Sequence, residues 1–370
     1  MKTANQIYIR QVTLKGCVMT LNENTLWKIE KRLKKSVDAS ISCTRVQDSI
    51  RLNGHVDTWE KVVKAGYIAA KSPFKEVVND IFFDDKNQKI QNLNSSVVQK
   101  DFVGGVKEYT CDVLIIGAGI IGTSIARELS KYDIETILVD KAYDVAVHTS
   151  SRNDGMIHPG IAAPTKSLKC EMNIRGNALY DQVSKELDVP IRWCGSYILF
   201  RTHISKLLKP FFKLKAKKIG MKGLRFLDRK TVYAHEPHLA PGVVWGVLCE
   251  RSGVTSPYRM TVAYAENAIQ NGVKLMLNCE VIKMTMKSNH IACVHTSQGD
   301  IVPKLVINAA GVYTDFIAEM ANDRYFSIHP RKGEVVLFDK KKSELVNGIL
   351  GFIGDRSSKN TKGGGIIKTY

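Results

Sequence analysis

Apolar residues along the middle of this chain follow a pattern that changes period at a cluster of glycines. Val113 to Ile116 is an unbroken apolar run, followed by a glycine turn. Ile121, Ile125 and Leu129 then recur at helical spacing, and Thr136 to Val139 is a second apolar run that ends on Asp140. A short apolar run bounded by glycine reads as a strand buried on both faces, and the three- to four-residue recurrence reads as a helix packed along one stripe. Cys111 to Lys141 is therefore predicted to be strand, turn, helix and strand. Lys304 to Ala321 repeats that order, with Ala309, Ala310 and Gly311 as the small-residue turn. Between these blocks Ile191–Phe200, Val243–Cys249, Leu275–Met284 and Ile291–Thr296 read as strands, and Tyr258–Asn271 as a helix. Val147–Gly160 is too polar and too glycine-punctuated for either, and reads as a loop.

The first part of the chain has a different rhythm. Trp27–Lys35 has helical spacing, and Ser40–Cys43 and Ser49–Val56 alternate as strands around a polar turn. Thr58–Ala70 reads as a second helix and Val77–Phe83 as a closing strand. The expected division is an extension over 1–24, a small α+β domain over 25–83, a polar linker over 84–109 and a larger α/β domain over 110–370.

Composition narrows the class. At 370 residues and 44% hydrophobic, the chain can fill two or three cores. Its eight cysteines contain no Cys-x-x-Cys pair, so neither a disulfide framework nor a zinc site is expected. Met1 to Thr20 lacks a secretory apolar core, and the expectation is a cytoplasmic chain. A net charge of +18 raises the question of nucleic acid, and Lys206–Lys222 interleaves lysines with Phe211 and Phe212. That segment reads more simply as a solvated amphipathic helix, and the expected partner is a small anionic molecule drawn by the basic surface, with no nucleic acid.

The glycine turn is where the sequence names its chemistry. Gly117, Gly119 and Gly122 form G-x-G-x-x-G between strand and helix. In that context Gly117 permits the tight turn, Gly119 lets a pyrophosphate reach the backbone, and Gly122 lets the helix close on the strand. The helix N-terminus offers free N–H groups to phosphate, and Asp140 is placed to accept a ribose hydroxyl.

Cys111–Tyr370 resembles the FAD-dependent oxidoreductases of the D-amino-acid oxidase superfamily, in the branch with glycerol-3-phosphate oxidase/dehydrogenase and L-2-hydroxyglutarate oxidase. Six blocks occur in family order: DVLIIGAGIIGTSIARELS, SSRNDGMIHPGI, SGVTSPYRMTVAYAENAIQNGVKL, LVINAAGVYTDFIAEMA, HPRKGEVVLFDK and TKGGGIIKT. The resemblance implies a Rossmann-like FAD-binding domain of glutathione-reductase type, in parts near 110–185 and 252–322. An α+β substrate domain, near 190–250 and 325–370, is interleaved with it. It implies that Gly117, Gly119, Gly122 and Asp140 bind the ADP half of FAD, that Ser150, Ser151 and Asn153 line pyrophosphate and flavin, and that Val281 offers backbone to adenine. The resemblance also implies that Ala310 and Gly311 lie near the cofactor at the second turn. Asp140 stands where glutamate is commoner, and Asp154 where serine is. His158, in MIHPG, matches the histidine beside the flavin, where an imidazole takes the hydroxyl proton as hydride leaves a secondary alcohol. Lys362 and Arg331 are implied to face the substrate's anionic group. His235, His238, His290 and His295 carry no such match and read as surface or structural residues.

The earlier phrase IRLNGHVDTWEKVVKAGYIAAKSPFKEVVNDI resembles the small BON domain through Leu52, Gly54, Val56, Val78, Asn79 and Ile81. That likeness implies contact with a phospholipid surface or another protein, peripheral to a membrane. The oxidoreductase blocks stop within a substrate-domain strand, so a C-terminally shortened enzyme is expected. The leading expectation is oxidation of glycerol 3-phosphate. L-2-hydroxyglutarate or another 2-hydroxy acid is the alternative substrate, and an inactive remnant acting through its BON-like module is the alternative of another class.

Overall fold

The computed structural model describes residues 23–70, 74, 76–83, 107–330, 333, 335–352 and 365–366. The chain divides into two units, residues 1–98 with 322–329, and residues 99–321 with 330–370.

The first unit runs α1 (Glu23–Ser36), β1 (Ser42–Val46), β2 (Ser49–Val56), α2 (Trp59–Ala69) and β3 (Val77–Phe83). β1 and β2 form an antiparallel hairpin, and α2 carries the chain back so that β3 lies parallel to β2. Alternation in β2 sends Ile50, Leu52 and Val56 into a core with Leu33, Ile41, Val62 and Phe74. The segment Asn322–His329 belongs to this unit, which the pattern of apolar positions gave no reason to expect. The Ser327 N–H donates to the Val77 carbonyl, the Asn79 N–H donates to Ser327 Oγ, and Arg324 pairs with Asp80 at 3.0 Å.

The second unit begins with β4 (Glu108–Ile116), α3 (Ile120–Leu129), β5 (Thr136–Val139), β6 (Met156–Ile157) and α4 (Leu168–Glu186). It continues through β7 (Ile191–Arg192), β8 (Ser196–Phe200), α5 (Lys209–Ile219), β9 (Leu224–Asp228), α6 (Arg229–His235), β10 (Trp245–Cys249), β11 (Gly253–Thr255) and α7 (Pro257–Gln270). Then come β12 (Lys274–Met276), β13 (Val281–Lys287), β14 (His290–Thr296), β15 (Gly299–Asn308), α8 (Thr314–Met320), β16 (Ile349–Phe352) and β17 (Gly365–Ile366). Its largest sheet has the order β12-β5-β4-β15-β14-β13, parallel from β12 to β15 and antiparallel beyond.

β4 explains the unbroken apolar run. Val113 and Ile115 pack with Ala126 of α3 and Ala265 and Ala268 of α7, whereas Leu114 and Ile116 pack with Met284, Val294, Ile301 and Ile317. Each face of the strand has its own cover, so no position along it needs to be polar. A second sheet, β17-β16-β8-β10-β9, and a small one, β6-β11-β7, complete the unit.

Several expected boundaries move. β4 starts at Glu108, inside the expected linker, because its first residues pair with Asp300–Pro303 of β15. Ile191–Phe200 is two strands, broken where Gly195 takes φ +72°. Leu275–Met284 is also two, broken where Asn278 takes φ +52°. The expected loop over 147–160 contains β6, which pairs with β11. The lysine-rich helix is α5, but its buried apolar side chains are Phe212 and Ala216, while Leu207, Phe211 and Leu214 are exposed. Phe212 packs edge-on to Phe200 at 6.0 Å, and that contact sets which side of the helix faces inward. Among the described residues no helix is long and apolar enough to cross a membrane.

Candidate functional site

β5, β4 and β15 are adjacent and parallel, so their C-terminal ends lie along one edge, where open α/β sheets take ligands. At that edge β4 hands the chain to α3 through Gly117, Ala118 and Gly119. Gly117 takes φ +109°, and a Cβ there would run into the backbone of Ala309 at the end of β15. A Cβ on Gly122 would collide with the Gly117 carbonyl. Both glycines are thus demanded by backbone packing. Gly119 differs, having an ordinary φ of −78°, and the nearest atom to its Cβ would be Ser150 Oγ at 3.0 Å. Its missing side chain keeps the approach to the helix N-terminus clear.

The N–H groups of the first helical turn have no partner inside a helix. That of Ile120 donates to Ser150 Oγ at 2.9 Å, so this hydroxyl stands at the start of α3, where an anion's oxygen would be received. Ser150 lies in a short turn, Thr149–Ser151, in which Ser151 Oγ donates to the His148 carbonyl. Asn153 spends its amide on its own loop. Nδ2 donates to the carbonyls of Thr149 and Ser150, and Oδ1 accepts from the Gly155 N–H.

Asp140 has a task that the sequence reading did not assign. Oδ2 accepts the Ala118 N–H at 2.7 Å and Oδ1 accepts the Ala142 N–H at 2.8 Å, which ties the end of β5 to the glycine turn. Each carboxylate oxygen can accept a second bond, so the group remains able to take ribose hydroxyls. Val281 reaches this edge through the preceding residues. The Cys279 N–H donates to the Asp140 carbonyl, the Asn278 N–H to that of Ala142, and buried Val281 opens β13. The break at Asn278 is what lets the chain leave the sheet and run beside Asp140.

At the end of β15 the Ala309 N–H donates to the Ile116 carbonyl, and the Ala310 N–H donates to Asn308 Oδ1 at 3.3 Å. Gly311 takes φ +59°, and among the described residues nothing lies within 4 Å of where its Cβ would be. Tyr313 follows, with Lys141 Nζ 3.4 Å from its ring centroid and the His148 ring 6.5 Å away. Sequence reading missed this trio. The signal was present in Lys141 directly after Asp140 and Tyr313 two residues after the small-residue turn.

The edge therefore gathers Gly117, Gly119, Gly122, Asp140, Ser150, Ala310 and Gly311, with Val281 joined through Cys279. His158 directly follows β6 of the small sheet. Its side chain is exposed, and its carbonyl accepts from buried Asn177 Nδ2 at 3.1 Å. Asn177 also donates to the Arg251 carbonyl and accepts from Arg251 Nε, which fixes the backbone that carries His158. Arg331 and Lys362 lie outside the described residues.

A glycine turn with a cleared helix N-terminus, an acid closing the next strand and a second small-residue turn beside it define a dinucleotide-binding α/β protein, and the donor set suits the diphosphate and ribose of FAD. Residues 112–366 match the family described as FAD dependent oxidoreductase, and the chain belongs to that family. Over 240 residues it is 35% identical to a glycerol 3-phosphate dehydrogenase of Caloramator mitchellensis, covering 65% of this chain and 50% of that one. It is 27% identical over 265 residues to an L-2-hydroxyglutarate dehydrogenase of Indibacter alkaliphilus, covering 68% and 65%. Among solved structures, L-alpha-glycerophosphate oxidase from Mycoplasma pneumoniae with FAD bound superposes with a TM-score of 0.56 at 25% identity, covering 66% of this chain and 65% of that one. The chain spans about half to two thirds of the length of these relatives.

Proposed function

We propose that this chain oxidises a secondary alcohol on a small anionic molecule to the ketone, with glycerol 3-phosphate as the leading substrate. The observation that carries the reading is the convergence of both strand-to-helix turns and Asp140 on one sheet edge, in a chain 35% identical to a glycerol 3-phosphate dehydrogenase.

When bound, FAD supplies the hydride acceptor. The protein's part is to hold it and to manage the proton. The N-terminus of α3, where Ser150 Oγ accepts the Ile120 N–H, receives phosphate oxygens, Asp140 takes ribose hydroxyls, and the Val281 backbone meets adenine. Ser151, Asn153, Ala310 and Gly311 border the rest. His158 accepts the hydroxyl proton as the hydride departs, the role of a general base. Arg331 and Lys362 balance the substrate's negative charge, and the net charge of +18 draws anions toward the surface. A 2-hydroxy acid such as L-2-hydroxyglutarate is the second reading, favoured by the 27% identity to its dehydrogenase.

The first unit is read as a BON-like module that contacts a membrane surface or another protein from the cytoplasm. Its helix, hairpin, helix and strand order and the burial of Leu52, Val56 and Val78 support this.

Anaerobic flavin reduction by glycerol 3-phosphate and by L-2-hydroxyglutarate, measured in parallel on the FAD-loaded chain, tests the reading. Faster reduction by the phosphate ester is expected, and His158→Ala should retain its flavin while losing about 10²- to 10⁴-fold in reduction rate. Equal rates in parent and variant would remove His158 from the chemistry. A loaded chain reduced by neither compound would overturn the substrate assignment.

A further inference from the structure

At the other end of β15 from the glycine turn, the antiparallel strands place three donor atoms of different kinds together. Cys293 and His295 are two residues apart on β14 and share a face. Asp300 of β15 is the cross-strand partner of His295, and Thr285 of β13 is that of Cys293. His295 Nδ1 lies 2.9 Å from Asp300 Oδ1 and 3.9 Å from Cys293 Sγ, and the three donor atoms all fall within 4.8 Å of one another. His295 Nε2 lies 2.7 Å from Thr285 Oγ1.

Which ring nitrogen each group faces decides what the cluster can do. In a nucleophile relay the thiol and the carboxylate engage opposite nitrogens of the imidazole, one to activate and one to orient. Here both face Nδ1. That is the arrangement of a chelate, in which sulfur, nitrogen and oxygen bonded to one tetrahedral zinc stand about 3–4 Å apart, given bonds of about 2.0–2.3 Å. Thr285 Oγ1 can accept a hydrogen bond from the Nε2–H, which leaves the Nδ1 lone pair turned toward the thiol and the carboxylate. This is the outer hydrogen bond that metal-bound histidines ordinarily make.

We infer that Cys293, His295 and Asp300 form a binding site for a zinc-class divalent cation on the β14–β15 hairpin, with Thr285 orienting the histidine. The mixed sulfur, nitrogen and oxygen set favours Zn²⁺ over Mg²⁺ or Ca²⁺, which prefer oxygen alone. The side chains of His295 and Asp300 are 17% and 27% exposed, so a fourth position faces water. Glu108, across from Asp300 on β4, adds negative charge to the same row. By strand rise the site is roughly 30 Å from Ala309 and the cofactor edge, so it does not depend on the reading of that edge.

The test is titration of the metal-free chain with Zn²⁺ by calorimetry and with Co²⁺ by absorption. The parent is expected to bind an ion whose Co²⁺ form shows a sulfur-to-metal charge-transfer band, a readout that needs no variant. Cys293→Ser should abolish that band, and His295→Ala and Asp300→Asn should each remove one zinc equivalent. Thr285→Val should weaken binding about 10- to 100-fold, as loss of an outer-shell partner does. Cys43→Ser, in the other unit, should change nothing, and far-ultraviolet circular dichroism checks that each variant folds. A parent that takes up no ion at this site, shown by identical titrations for parent, Cys293→Ser and His295→Ala, would overturn the assignment and leave an ordinary His295–Asp300 hydrogen bond.

Discussion

The two strand-to-helix turns at the sheet edge share a sequence grammar and differ in what their glycines do. In the β4–α3 turn, Gly117 and Gly122 are hemmed in by protein backbone, one by Ala309 and the other by the Gly117 carbonyl. In the β15–α8 turn, Gly311 takes a left-handed φ of +59° with nothing within 4 Å of its would-be Cβ. The first pair is required to make the fold. The second glycine is required by its own backbone angle only, and the space beside it is open among the described residues. Gly119 sits between these cases, with an unexceptional φ and only a serine hydroxyl in the way.

The largest effect is expected at Gly122. A methyl group there cannot be placed without driving α3 off β4, so Gly122→Ala should cost about 4 kcal/mol or more and unfold the second unit. Denaturant unfolding measures it, and a loss under about 1 kcal/mol would show that the turn yields more readily than its packing implies. Gly119→Val comes next. Ser150 Oγ is a movable neighbour, so the fold should survive, while the branched side chain blocks the N-terminus of α3. Flavin fluorescence should then report no FAD binding by a folded chain. Unchanged affinity would mean that the pyrophosphate does not rest on this turn.

Asp140→Ala probes the link between turn and neighbouring strand. It removes two backbone hydrogen bonds to a charged acceptor, each worth about 1.5–3 kcal/mol. Stability and FAD affinity should fall together. Asn is the informative companion, because its single carbonyl oxygen can keep one of the two bonds. A stability equal to that of the parent in Asp140→Ala would leave the carboxylate with ligand binding alone.

What the sequence disclosed follows from the same contrast. Where local constraints suffice, the reading was sharp. Thr136–Val139 and Val77–Phe83 have the predicted ends, and the apolar run through Val113–Ile116 announced a strand covered on both faces. Where a partner distant in sequence decides, it was not. The break at Asn278 exists because Cys279 and Asn278 bond to Asp140 and Ala142, and nothing in Leu275–Met284 by itself signals a departure from the sheet. The start of β4 at Glu108 is set by pairing with β15, and the buried side of α5 by Phe200. His295 reads as a surface or structural histidine because Asp300 meets it only through the hairpin register. The cofactor turn was legible because one stretch of chain contains all of it. Asp140's bond to Ala118 was not, since a motif names residue types and leaves their pairing to the fold.

The smallest effect is expected at Gly311, and it separates the two meanings of glycine most cleanly. An alanine there meets no atom of the described residues, so the cost is that of a left-handed backbone on a non-glycine residue, about 1 kcal/mol. FAD affinity should barely move, because a methyl group reaches little of the open space. Gly311→Leu adds almost nothing to the backbone cost but extends into the volume that the protein leaves clear. If the cofactor uses that volume, stability should match the alanine variant within error while FAD affinity drops about tenfold or more, equivalent to about 1.4 kcal/mol. If both variants bind FAD as the parent does, the space beside the second turn is solvent. The second glycine would then be a matter of backbone angle alone, and the comparison between the two turns would lose its functional side.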